Sequence, residues 1–122
     1  MNEYMLGKNL YQGSRKKALF VCTGGILRSP SAAHFASDAK GWNTRSCGII
    51  PEAIPPMHIN LLEWADEIYC LEPCHAQFIR QEYGHDYEQK IRVLNIPDVY
   101  EYREPRLLAQ LAERLSGARS HE

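Results

Sequence analysis

A cysteine and an arginine six positions apart bound the segment Cys22-Thr23-Gly24-Gly25-Ile26-Leu27-Arg28, and Ser29-Pro30 follows directly. The apolar run Ala18-Leu19-Phe20-Val21 precedes it and reads as a short buried strand. Ser29 at an N-cap and Pro30 at the first helical position predict a helix start after it. A glycine-containing loop that enters a helix N-terminus turns several free backbone N–H groups toward one point, where the helix dipole favours negative charge. Arg28 adds a planar donor fork suited to a phosphate-like oxyanion. The same field stabilises a thiolate at Cys22. The stretch is therefore an anion cradle that carries a nucleophile, and Thr23, Gly24, Gly25, Ile26, Leu27 and Arg28 are its candidate phosphate-binding residues.

Other chemistry-bearing residues are less sharply placed. Asp98 follows Pro97 in a late loop and reads either as a general acid or as an ordinary turn aspartate. Asp66, Asp86 and Glu72 compete with it for the acid role. Cys70, Cys74 and His75 cluster near the end of a predicted strand, but their spacing is not that of a zinc site. They read as buried or incidental thiols, and no metal site is expected. His34, His58, His85 and His121 join no constellation.

The elements that must position these groups alternate. Strands are predicted at about 18–22, 44–47, 67–71 and 91–94. Helices are predicted at about 30–40, 57–65, 73–83 and 105–115. Gly41, Gly84 and Gly117 stand as stops. The Pro-rich segment from Gly48 to Pro56 excludes a regular helix. This alternation predicts an α/β fold: a single three-layer domain, a four-stranded parallel sheet with helices on both faces. Right-handed crossovers place every strand-to-helix loop at one edge of the sheet, where ligands bind in such folds. The Cys22 loop and the Asp98 loop can meet there. The domain is expected over 17–117, with tails at 1–16 and 118–122. Lys8-Asn9-Leu10-Tyr11-Gln12-Gly13-Ser14 loosely resembles a protease-cleavage linker left from protein expression, and the first tail is set aside from the fold.

Cys-x5-Arg-Ser-Pro after a hydrophobic strand resembles the phosphate-binding loop of the low-molecular-weight protein tyrosine phosphatases, whose fold is phosphotyrosine phosphatase I-like. Three further stretches fit that family in order: Trp42–Gly48 as its second strand, Glu63–Glu72 as its third strand, and Ile96-Pro97-Asp98-Val99-Tyr100 as its late aspartate loop. The resemblance spans roughly 17–116 and is closest to short bacterial members. It implies metal-independent hydrolysis of a phosphomonoester through a phosphocysteine intermediate on Cys22, with no cofactor. It implies Arg28 as the oxyanion clamp, Ser29 as the hydroxyl partner of the Cys22 sulfur, and Asp98 as general acid and then base. Ile26, Tyr100 and Tyr102 are the implied pocket wall. The implied partners are a phosphotyrosine-containing protein or a small aryl phosphate, with inorganic phosphate or another oxyanion as ligand. Two other outcomes stay open: a thioredoxin-linked arsenate reductase that uses Cys74, and a phosphate- or phosphoprotein-binding module with weak catalysis.

Three positions and one connecting segment depart from that pattern. Gly25 stands where the family has a bracing asparagine, so Ser46 loses the partner it would support. Leu27 replaces a second cysteine, and Val99 replaces a proline. The link from Gly48 to Met57 is much shorter than in the family, which predicts a shallower site on that side.

Composition is that of one small globular domain. The chain has 122 residues, 44% hydrophobic and 24% charged, with a formal net charge of −1. That balance gives no argument for nucleic acid or an anionic membrane surface. No apolar run approaches the ~20 residues of a spanning helix. The lack of a signal-peptide pattern and of a disulfide spacing among four cysteines leads to a cytoplasmic expectation, with thiols kept reduced.

Overall fold

A computed structural model describes residues 15–25 and 27–120, with side chains to residue 116. Ile26 and most of the N-terminal tail lie outside the described residues. Eight main elements follow in order: β1 (Lys17–Cys22), α1 (Arg28–Lys40), β2 (Asn43–Gly48), α2 (Ile59–Trp64), β3 (Glu67–Cys70), α3 (Pro73–Tyr83), β4 (Ile91–Val93) and α4 (Pro105–Ser120). A short 3₁₀ turn at Glu88–Lys90 leads into β4.

The four strands form one parallel sheet in the order β2-β1-β3-β4. β1 sits inside it, which explains its continuous apolar sequence: a strand covered on both faces has no solvent side. Its side chains alternate between two cores. Ala18, Phe20 and Cys22 face α1 and α4, meeting Ala32, Ala33 and Ala36, and Leu107, Leu111 and Leu115. Leu19 and Val21 face α2 and α3, meeting Leu62, Ala76 and Ile79. The expected three-layer α/β architecture is observed. Each fully buried leucine in these layers contributes roughly 1.5–3 kcal/mol relative to exposure.

Several element ends differ from expectation. α1 begins at Arg28, with Leu27 as N-cap and no side-chain cap. Ser29 is therefore inside the first helical turn and is not the N-cap. Its side chain is fully buried, and its hydroxyl donates to the Cys47 carbonyl at 3.2 Å. Pro30 is still accommodated, because first-turn N–H groups have no intrahelical partner. α2 starts only at Ile59: the His58 ring accepts the Asn60 N–H at Nδ1 and so caps the helix. Gly117 does not end α4, which continues to Ser120. A mid-helix glycine costs only about 1 kcal/mol. Gly41, by contrast, ends α1 as expected, with φ of 70° and its N–H on Ser37.

The sheet ladder continues past the assigned ends of β3 and β4. Leu71 donates to Val21 at 3.0 Å, Leu94 to Cys70 at 2.9 Å, and Ile96 to Leu71 at 2.7 Å. This carries the chain after β4 alongside the C-terminal end of β3, whose other neighbour is β1. Among the described residues, no helix is long and apolar enough to cross a membrane.

Candidate active site

The loop after β1 is held from outside by the short link after β2. Ile49 N–H donates to the Cys22 and Thr23 carbonyls at 3.1 and 2.9 Å, and Ile54 N–H donates to the Gly24 carbonyl at 3.2 Å. Three successive carbonyls thus turn toward the link, away from the loop centre. Gly48 N–H in turn donates to Pro55, and Met57 N–H to Gly48. The short link thus lies against the loop through its backbone. Gly25 has φ of +70°, and a Cβ there would stand 3.0 Å from Gly48 N, 3.1 Å from Ile54 O and 3.2 Å from Cys47 C. Glycine supplies both the left-handed backbone and the room. Backbone hydrogen bonds from the link hold the loop at the place where a side-chain brace was expected to be missing.

Cys22 ends β1 with its sulfur in the loop. Its Sγ lies 3.1 Å from Ser29 Oγ and accepts the Gly25 N–H at 3.2 Å. The Gly25 N–H donates to the sulfur as it stands, whereas the Ser29 hydroxyl accepts the Cys22 thiol and donates to a thiolate only by turning its single proton away from the Cys47 carbonyl. Arg28 opens α1 and is almost wholly buried. Its Nη1 donates to Glu72 Oε1 at 2.8 Å and to the Ile96 carbonyl at 2.9 Å, and its Nε lies 3.5 Å from Asp98 Oδ1. A buried guanidinium needs such partners, since an unpaired buried charge is very costly. Asp98 itself is 61% exposed. Cys22, Gly24, Leu27, Arg28 and Asp98 line one open cavity of about 240 Å³. Two distant stretches, the 22–28 loop and the 96–98 loop, therefore meet as the parallel topology requires.

Thr23 is anchored on both sides. Its carbonyl accepts from the link, and its Oγ1 lies 3.1 Å from His75 Nε2. His75 Nδ1 accepts the Glu72 N–H at 3.0 Å. That bond leaves Nδ1 bare, so the proton of the neutral ring is on Nε2 and donates to Thr23. Burial and the nearby Arg28 charge hold the His75 pKa down to about 4, against the weaker pull of Glu72 and Asp98.

Glu72 and His75 are site neighbours that the sequence reading assigned only to an acid competitor and an incidental cluster. A signal for them exists in hindsight of topology alone. An acidic residue just past the C-terminal end of a strand beside β1, followed by Pro73 and a helix start, stands at the ligand edge of the sheet. Donor atoms of Glu72, Cys74 and His75 lie within 4.8 Å of one another. Both His75 nitrogens and one Glu72 oxygen are already engaged by Thr23, Glu72 N–H and Arg28, so this trio is a poor metal cage.

The remaining candidates lie further out. Tyr100 is partly buried against the α1–α4 core, with the Arg106 guanidinium 5.5 Å from its ring centre. Tyr102 Oη lies 3.2 Å from His34 Nδ1 on α1. Neither lines the cavity described above. Among the cysteines, Cys74 is exposed, whereas Cys47 and Cys70 are buried. Burial pushes the Cys47 thiol up and the Cys70 thiol to about 12, so neither is a ready thiolate.

No family profile and no curated protein matches this sequence. Solved structures do. The tyrosine phosphatase Wzb from Escherichia coli K30, in complex with phosphate, matches with a TM-score of 0.70 at 16% identity, covering 88% of this chain and 98% of that one. A YwlE mutant from Bacillus subtilis matches with a TM-score of 0.59 at 27% identity, covering 83% and 99%. A cysteine-to-serine mutant of the arginine phosphatase YwlE, with a phosphorylated active-site serine, matches with a TM-score of 0.59 at 25% identity, covering 87% and 99%. Over most of its length the chain is structurally similar to the low-molecular-weight protein tyrosine phosphatases and has their fold.

Proposed function

We propose that this protein is a cysteine phosphatase that hydrolyses phosphorylated side chains through a phosphocysteine on Cys22, with phosphotyrosine as its first substrate class. The observation that carries this reading is the convergence of Cys22, Arg28 and Asp98 on one cavity. In the first step the Cys22 sulfur attacks phosphorus in line, the bond from phosphorus to the phenolic oxygen breaks, and Asp98 gives that oxygen its proton. In the second step water attacks phosphorus, Asp98 takes the water proton, and the P–S bond breaks to release inorganic phosphate and the Cys22 sulfur. Ser29 Oγ and Gly25 N–H receive the charge on that sulfur as it leaves. Arg28, braced by Glu72 and Ile96, holds the phosphoryl oxygens in both steps. Nucleophile, acid and charge clamp all come from the chain itself, which supports a reaction that proceeds in a chelator.

A second substrate class, phosphoarginine, is favoured by the match to the arginine phosphatase at 25% identity. The same two steps would cleave a P–N bond. The test is hydrolysis of an aryl phosphate, a phosphotyrosine peptide and a phosphoarginine peptide, each with excess chelator and each with Cys22→Ser as control. Turnover of the aryl phosphate and the phosphotyrosine peptide, lost in Cys22→Ser, is expected. Exclusive turnover of phosphoarginine would replace the first substrate class with the second. Undiminished turnover in Cys22→Ser would overturn the mechanism.

A further inference from the structure

The start of α3 touches both ends of the oxyanion loop, and the reaction above uses only one of the two contacts, that of Glu72 with Arg28. Glu72 holds Arg28 Nη1 at 2.8 Å, at the end of the loop. His75, fully buried, reaches Thr23 Oγ1 at 3.1 Å, directly after the nucleophile. The two residues are themselves locked together, because Glu72 N–H donates to His75 Nδ1 at 3.0 Å.

We infer that His75 is a positioning residue of the oxyanion loop: accepting the Glu72 N–H at Nδ1 and donating Nε2–H to Thr23 Oγ1, it sets the loop's first turn while Glu72 sets its last residue. The inference rests on the phosphatase reading above and deepens it. Three features argue for this role over plain core filling. Both ring nitrogens are hydrogen-bonded, as burial requires, and the partner at Nε2 is the hydroxyl of the residue directly after the nucleophile, not a group of the surrounding core. Thr23 is gripped from both flanks, by the link at its carbonyl and by His75 at its hydroxyl, so its side chain and its N–H are oriented together. The ring also stays neutral beside Arg28, so it donates a hydrogen bond without opposing the charge that would hold the phosphoryl group. Preorganised donors of this kind act only if they do not reorganise during the reaction.

The test is a double-mutant cycle with His75→Asn and Thr23→Val, read in kcat and KM for an aryl phosphate and in the Kd of inorganic phosphate. An asparagine amide oxygen occupies the Nδ1 position and keeps the Glu72 N–H bond, but it does not reach Thr23. Each single change is expected to weaken phosphate binding and kcat/KM by roughly three- to tenfold, the worth of one neutral hydrogen bond. The double variant should be no worse than the weaker single one. His75→Gln, whose amide NH2 occupies the Nε2 position, should recover part of the loss. Losses that multiply in the double variant, or a His75→Asn protein with unchanged Kd and kcat/KM, would overturn the inference. ¹⁵N spectra of the imidazole give a readout independent of turnover. They should show a neutral ring protonated at Nε2 near neutral pH, with that signal displaced in Thr23→Val. A ring protonated at Nδ1 overturns the inference even if the wild type is an active phosphatase. A wild type that neither binds phosphate nor hydrolyses the aryl ester, yet shows the Nε2–H signal and its displacement, overturns the phosphatase reading and leaves the contact itself established.

Discussion

Acidifying the protein should destabilise it through His75, over a window set by that one ring. In the unfolded chain the imidazole titrates near 6.5, and in the fold burial and Arg28 hold it down to about 4. Between those values the unfolded chain binds a proton that the folded chain refuses. Stability therefore rises with pH through the window, is fully present above 6.5, and is lost as pH falls to about 4. Below that value both states carry the proton and no further loss comes from this group. At ~1.36 kcal/mol per pH unit, the gap corresponds to about 3 kcal/mol. The ring is fully buried, so little of this is screened by solvent. The charges that face it are Glu72 and Asp98, which favour its protonation, and Arg28, which opposes it. The assay is urea unfolding from about pH 7 to about pH 4, with wild type and His75→Asn compared at each pH. Asparagine does not titrate, so the wild type should lose about 3 kcal/mol more than the variant across the window. Contributions of His34 and of carboxylates such as Glu67, whose pKa burial raises but Lys16, Tyr69 and Arg92 together bring below its ordinary value, are common to both proteins and cancel. Two curves that stay parallel would refute the reasoning.

Two other outcomes follow from the geometry of the loop and from the role proposed for Asp98. Asp98→Ala should slow aryl-phosphate turnover roughly 10²–10⁴-fold while phosphate binding persists, and a wild-type rate in that variant would remove Asp98 from the acid role. Gly48→Ala would put a Cβ 2.5 Å from Thr23 O and 2.6 Å from Gly25 N and Ala53 Cβ. It should cost about 1–3 kcal/mol in urea unfolding, and an unchanged midpoint would mean that the link does not press on the loop as described.

The sequence alone determined the alternation of elements, because its signals are local. Ala18–Val21 is a continuous apolar run that only a strand covered on both faces explains. Gly41 and Gly84 end helices where they stand, by backbone conformation. The cysteine, the arginine and the glycines of the 22–28 loop were legible for the same reason: strand, loop and helix start are consecutive in the chain. Hydrogen bonds between distant segments were not legible. Ser29 has the residue type and neighbours of an N-cap, yet the buried Cys22 sulfur and the Cys47 carbonyl engage its hydroxyl, and the helix starts two residues earlier than that reading implies. The absence of a bracing side chain at Gly25 is plain from the residue itself, but only the fold lays the 49–54 backbone against the loop there. Glu72 and His75 meet Arg28 and Thr23 across more than forty residues of chain. That meeting depends on β3 lying beside β1 in the sheet, and no spacing along the sequence encodes the neighbour of a strand.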